Sequence, residues 1–188
     1  MNTKDLRVIR TQKLLEEALL NLMAQKSYEK ITIKDISSVA MVNRNTFYLH
    51  YPDKDTLLNE VVDRHLEKMR KSLPEPTVSM DVSKTVESLM AAIQNDMSFF
   101  RLMVEQDAAS RFSEKYIAIM RNHVLTGLKK SYASRVEQEV NFQLLMEYTL
   151  HGAMSVILLW IRSDGKISME DAIRFIRIIS NQRISQMF

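Results

Sequence analysis

Residues 32–58 read TIKDISSVAMVNRNTFYLHYPDKDTLL, and this stretch decides the fold. Thr32 stands before an apolar pattern of Ile33, Ile36, Val39 and Ala40, and Asp35 three places on completes a capping-box signature for a short helix. Asn43 is placed to cap a second short helix, whose inner side carries Thr46, Phe47 and the face near His50 and Tyr51. Pro52 stops it, because the residue before a proline is pushed out of helical geometry. Asp53 then caps a following helix with Leu57, Leu58, Val61 and Val62 on its apolar side. Two short helices, a tight turn and a supporting helix make a helix-turn-helix, the arrangement that lays its second helix in the major groove of DNA.

So short a second helix leaves Arg44, Asn45, Tyr48 and Leu49 facing outward. Arg can read guanine in the major groove, Asn can read adenine, and an exposed Leu or Thr methyl can touch the thymine methyl. Taken singly, Tyr48 and Leu49 have ordinary readings as packing residues, His50 as a satisfied helix-end histidine and Lys54 as a solvated charge. A helix-turn-helix also occurs as a plain structural corner. The convergence of these residues on one helix and the start of the next favours a duplex.

With the Thr32 cap, the string NTFYLHY at 45–51 and KDTLL at 54–58, the N-terminal sixty-odd residues resemble the DNA-binding domain of the tetracycline-repressor (TetR/AcrR) family of bacterial transcription regulators. The resemblance implies that Thr46, Tyr48, His50 and Lys54 hold phosphates. It leaves Arg44 and Asn45, with Val42 and Asn43 at the turn, to meet base edges; Thr32 and Leu49 complete the DNA-facing set. One position departs from the pattern, since the family has glycine in the turn where this chain has Met41. Methionine is poorly suited to a left-handed backbone, which predicts a remodelled turn.

The rest of the composition agrees. Of 188 residues, 46% are hydrophobic and only three are Gly and three Pro, which fits an all-helical protein of one or two small domains. Residues 1–72 hold 13 Lys/Arg against 10 Asp/Glu, whereas residues 73–188 hold 13 of each, so the net charge of +3 lies with the DNA module. That modest excess calls for two modules in a dimer to neutralise phosphates strongly. The absence of cysteine removes disulfides, thiolate metal sites and cysteine nucleophiles. The N-terminus, MNTKDLRVIRTQKLL, shows helical spacing rather than a signal-type apolar stretch. The longest apolar run, residues 154–161, is far below the roughly 20 residues of a membrane span. The expectation is a soluble cytoplasmic protein, nucleoid-associated when bound, with no membrane partner.

Along the chain, a first helix is expected at 5–25 with Val8, Leu15, Ala18, Leu19, Leu22 and Met23 inward, and a fourth at 53–72. LPEPTVSMD at 73–81, with two prolines and no periodicity, is the linker. The predicted division is thus 1–72 for the DNA-binding domain and its connecting fourth helix, 73–81 for the linker, and 82–188 for a helical regulatory and dimerisation domain. Further helices are expected at 82–95, 97–107, 113–131, 136–162 and 168–187, with breaks at Asp164 and Gly165 and near Ala109 and Ser134. Residues 152–161 offer no polar face, and Ile173, Phe175, Ile176, Ile178 and Ile179 make the last helix wider than one core stripe. Two protomers can bury both in a four-helix bundle, the homodimer through the last two helices that the family resemblance also implies. The fold class is therefore all-α: an N-terminal three-helix helix-turn-helix domain plus a C-terminal helical ligand-binding and dimerisation domain.

Nine of the 13 methionines, among them Met80, Met90, Met97, Met146, Met154, Met169 and Met187, lie beyond residue 79, and Met can line a permissive apolar pocket. The candidate pocket residues are Phe99, Phe100, Met103, Tyr116, Met120, His123, Tyr148, His151 and Trp160; as single residues they read equally as core. His123 and His151 are too far apart to argue for a metal, no zinc-type spacing occurs, and no cofactor is expected. There is no Gly-rich phosphate loop, nucleophile elbow or paired catalytic motif, so an enzyme is not expected.

In its C-terminal half, FFRLMVEQDAASRF at 99–112 and Trp160 followed by DGKIS at 164–168 resemble the branch that includes the dihydroxyacetone kinase regulator. The leading expectation is a homodimeric repressor on a pseudo-palindromic operator, released when a small apolar or amphipathic effector shifts the fourth helix. The alternatives are an activator working through a protein co-regulator, or a nucleoid-associated factor without a small ligand. A closed C-terminal core would favour the last, and a cavity near Trp160, Tyr148 and Phe100 the first.

Overall fold

The computed structural model describes residues 3–76, 82–106, 108–129 and 140–184. Among them are nine α-helices, one 3₁₀ turn at Tyr28–Lys30 and no strand. The chain divides into two compact units, residues 1–65 and 66–188, and the division falls within the fourth helix.

The first unit contains α1 (Thr3–Met23), α2 (Ile33–Val39), α3 (Arg44–His50) and the start of α4 (Lys54–Ser72). Each short helix begins where its cap predicts. Thr32 Oγ1 accepts from Asp35 N at 3.2 Å while Asp35 Oδ2 accepts from Thr32 N at 2.9 Å, a complete capping box. Asn43 Oδ1 accepts from Asn45 N at 2.9 Å, and Asp53 Oδ1 from Thr56 N at 2.7 Å. Leu15, Ala18, Leu19, Leu22 and Met23 are buried, as are Leu57, Leu58, Val61 and Val62. Val8 and Val39, expected inside, are exposed. At about 1.5 Å per residue, seven-residue α2 and α3 cannot roof all of the 21-residue α1, so its first turns face solvent.

The turn after α2 is not remodelled. Met41 N donates to Ser38 O at 3.2 Å and Val42 N to Ser37 O at 3.0 Å, the paired bonds of a Schellman motif, with Met41 itself in the left-handed region at φ 54°. Its side chain is 88% exposed and meets nothing that would hinder that conformation. The local hydrogen bonds therefore override the backbone preference that predicted a different turn.

Two polar links cross this unit. Arg64 pairs with Glu16 of α1 and with Glu60 Oε1 at 3.1 Å, and Tyr51 Oη donates to the same Glu60 oxygen at 3.3 Å. Burial, with the Glu60 charge second, pushes the Tyr51 phenol up to about 12, so it remains a donor.

The second unit holds the end of α4 with α5 (Val82–Asn95), α6 (Met97–Glu105), α7 (Ala109–Lys129), α8 (Val140–Arg162) and α9 (Met169–Ile184). α5 and α8 pack on α9, and α6 and α7 pack on α8. Phe99, Phe100 and Phe112 stack edge-on at 5.3 and 5.6 Å between successive ring centroids. Ser168 Oγ accepts from Asp171 N at 3.0 Å and starts α9, after a turn in which Asp164 and Gly165 take positive φ. Residues 77–81 of the expected linker, with Met80, lie outside the described residues, as do 107, 130–139 with the expected break at Ser134, and 185–188 with Met187. By length and composition Phe142–Arg162 is apolar enough to cross a membrane, longer than the run at 154–161 read from the sequence. Its Met146, Leu150, Met154, Ile157, Trp160 and Ile161 are buried in this helical unit.

Not all of the apolar surface is buried within one chain. Leu144, Tyr148 and Leu159 of α8 and Phe175 and Ile178 of α9 are exposed.

Two outcomes are expected of this first unit. Met41→Gly should relieve a left-handed conformation and raise stability by about 1 kcal/mol, read as a higher urea midpoint; an unchanged midpoint would mean that no strain resides there. The Lys26 ammonium at 2.8 Å, with the Thr32 bonds, holds the Asp35 carboxyl down at about 2 against an ordinary 3.8. A lowered carboxylate contributes stability that is present above its unfolded value and lost as pH falls through its folded value. Asp35→Asn should therefore flatten the fall of the urea midpoint between pH 4 and 2, and a variant with the parent's slope would contradict the assignment.

Candidate functional site

α3 is anchored by one side and open on the other. Phe47 is fully buried, its ring 5.9 Å from that of Tyr51, which is buried just past the helix end. Asn45 and Leu49, opposite Phe47, are exposed, Leu49 by 83%, as are Tyr48 on the flank and Arg44 in the first turn. Thr46 and His50 are half-buried at the margins of that surface, and Val42 and Asn43 lead into it from the turn. Arg44 Nη2 donates to Tyr48 Oη at 3.1 Å, with its guanidinium carbon 5.6 Å from the ring centroid. The guanidinium is thereby held over α3 with donors left for a base or phosphate. Thr32, at the start of α2, already uses its hydroxyl in the capping box, though an oxygen lone pair and the hydroxyl proton remain.

Lys54 behaves differently from its expected phosphate role. Its ammonium donates to the carbonyls of Tyr28 at 2.8 Å, Glu29 at 3.2 Å and Ile31 at 2.9 Å, and lies 4.4 Å from the Tyr28 ring centroid. An ammonium has three protons, and here all three are engaged with the 3₁₀ segment before α2. Tyr28 Oη in turn donates to Asp55 Oδ1 at 3.0 Å. Lys54 thus ties the start of α4 to the chain that enters the helix-turn-helix. No local pattern announces this, because the three carbonyls lie more than 20 positions upstream.

A cavity of about 110 Å³ opens in the second unit among α5, α7, α8 and α9. Thr85 and Leu89 of α5 and Tyr116 and Met120 of α7 line it. So do Met146, Thr149 and Leu150 of α8 and Ile176 and Ser180 of α9. Of the residues expected to line a pocket, Tyr116 and Met120 do so. Phe99, Phe100, Met103 and Trp160 instead fill the core. Tyr148 and His151 point outward from α8, where His151 Nδ1 bonds the Glu147 carbonyl at 2.9 Å. His123 is half-buried beside the cavity without lining it, and burial lowers its proton affinity. The overlooked walls were visible as periodicity: 142, 145, 146, 149, 150 and 153 recur at helical spacing and share one face of α8. No group of three His, Asp or Glu that could hold a metal occurs among the described residues.

Comparison with known proteins adds two family matches. Residues 15–61 match "Bacterial regulatory proteins, tetR family", and residues 81–182 match "Transcriptional regulator C-terminal region" of the same group. The chain is 25% identical over 181 residues, 93% of its length, to YxbF of Bacillus subtilis, an uncharacterised HTH-type transcriptional regulator, and covers 46% of that protein. The chain spans about half, or less, of the length of the curated relatives it matches. Among solved structures, a TetR transcriptional regulator from Streptococcus agalactiae superposes with a TM-score of 0.69 at 21% identity, over 93% of this chain and 95% of that one. The dihydroxyacetone kinase operon activator DhaS superposes with a TM-score of 0.61 at 16% identity, over 94% of this chain and 95% of that one. With both its N-terminal and C-terminal regions matched and the helix-turn-helix built as described, the chain belongs to the tetR family of bacterial transcriptional regulators.

Proposed function

We propose that the chain is a homodimeric, cytoplasmic repressor that binds a pseudo-palindromic operator through α3 and is released by a small apolar or amphipathic effector. The observation that carries this reading is the outer surface of α3, where Arg44, Asn45, Tyr48 and Leu49 are all exposed while Phe47 is buried. Arg44 and Asn45, with Val42, Asn43 and Leu49, meet base edges; Thr32, Thr46, Tyr48 and His50 hold phosphates. Lys54 sets the angle of the helix-turn-helix against α4 in place of a phosphate contact.

The exposed apolar faces of α8 and α9 support a partner protomer. Leu144, Tyr148 and Leu159 with Phe175 and Ile178 would be covered in a bundle of two α8 and two α9 helices, which fixes the spacing of the two α3 helices at one duplex turn or a multiple of it. The cavity supports an effector over a nucleoid role without one, although it lies on α5, α7, α8 and α9 and not around Trp160. The residues 1–72 serve as the DNA module with its connecting helix, and α4, running from one compact unit into the other, carries the effector's bias to the operator. The relative DhaS is named as an operon activator, and an activator reading follows if the bound site raises transcription of a reporter.

Selection of bound sequences from a random duplex library, using the full chain with and without a metabolite extract, tests the reading. A palindromic motif lost in one extract fraction is expected; a motif indifferent to every fraction would remove the effector from the account. Arg44→Ala should relax preference at one position of each half-site by about 1–3 kcal/mol, and uniform weakening on all sequences would reverse its assignment. Lys54→Met should lower stability by about 1–3 kcal/mol through the three lost bonds with the salt dependence of DNA binding unchanged. A salt slope reduced by about one would restore Lys54 to a phosphate.

A further inference from the structure

Among the described residues, the wall of the second unit's cavity holds no charged side chain. Its polar members are the hydroxyls of Thr85, Tyr116, Thr149 and Ser180, set among Leu, Ile, Val, Ala, Met and Phe side chains. The ion pairs nearest in sequence lie outside the wall and are already matched: Arg121 with Glu147 between α7 and α8, and Arg177 with Glu87 at 3.8 Å between α9 and α5. An acid entering this space would find no cation among the described wall residues, and an unpaired anion in an apolar wall is strongly disfavoured.

Tyr116 gives the space a direction. It is 2% exposed and lines the cavity from α7. A tyrosine hydroxyl on a largely apolar wall ordinarily takes a hydrogen-bond partner, which a guest in the cavity can supply. Burial alone pushes the phenol's proton affinity up, so the group stays protonated and can donate. Met120 and Met146 flank it with side chains that adapt to the shape of a guest.

Resting on the effector-gated reading above, we propose that this cavity takes an uncharged, mainly apolar molecule of about one ring whose single acceptor oxygen receives a hydrogen bond from Tyr116 Oη. The class is a neutral carbonyl or ether compound, as opposed to a carboxylate or phosphate.

The test uses the full chain and three probes of similar shape: acetophenone, which carries the acceptor; ethylbenzene, which lacks it; and benzoate, which is charged. Calorimetry and thermal shift should show acetophenone binding about five- to tenfold more tightly than ethylbenzene, and benzoate not binding. Tyr116→Phe should keep ethylbenzene binding, which reports an intact cavity, and bring acetophenone to the same affinity. Equal affinities in the parent chain, a preference that survives in Tyr116→Phe, tightest binding by benzoate, or binding by none of the three would overturn the proposal. Parallel titration of the selected duplex separates this from the gating reading: Tyr116-dependent acetophenone binding that leaves DNA affinity unchanged keeps the ligand class and refutes the gating.

Discussion

A helix of seven residues is two turns long, too short to persist in water on its own propensity. Both α2 and α3 are of that length, so the surface meant to meet DNA depends entirely on what holds them at their ends and on one side. The capping box of Thr32 and Asp35 fixes where α2 begins, the Schellman turn through Met41 fixes where it ends, and Asn43 starts α3 two residues later. Phe47, fully buried, then sets the rotation of α3 about its axis. Because the helix has a period of 3.6 residues, burying Phe47 turns Asn45 and Leu49 away from the core and Tyr48 to its flank, while Arg44 is exposed as the first residue of the helix. A recognition surface results from one aromatic anchor and three local hydrogen-bond motifs.

The longer contacts of the first unit hold that short pair against its neighbours. Lys54 fastens α4 to the carbonyls of the segment before α2, and the chain Tyr51, Glu60, Arg64 and Glu16 joins the end of α3 through α4 to α1. These bonds are partly exposed, and their stabilising value is modest one by one. Their geometric effect is larger, since a small rotation of α3 would change which side chains, Arg44 and Asn45 among them, stand on its outer surface. Met41 shows the same priority from the other direction: a left-handed methionine is tolerated because the turn fixes the spacing of two helices.

In the second unit the residues divide differently from the way composition suggests. Phe99, Phe100 and Phe112 cluster as packing, and the cavity forms where apolar and hydroxylated side chains of four helices meet. Thr85, Thr149 and Ser180 line it and Trp160 does not. The same helices α8 and α9 turn a second apolar face outward, at Leu144 and Leu159 and at Phe175 and Ile178. One face encloses the cavity and the other awaits cover.

The sequence by itself determined what depends on neighbours within four residues: the capped starts of α2, α3 and α4, the all-helical class, the break at Asp164 and Gly165, and the outward set on α3. Caps and amphipathic periods are local, and local physics is written in order along the chain. Only the tertiary structure decided the partners of Lys54, the exposure of Val8 and Val39, the core role of Phe99, Phe100, Met103 and Trp160, and the placing of the cavity. Each of these depends on which distant surfaces meet, and an apolar side chain has the same character in the sequence whether it fills a core or lines a void. The turn at Met41 lies between the two: its residue argued against a left-handed backbone, and two hydrogen bonds closing the end of α2 imposed one.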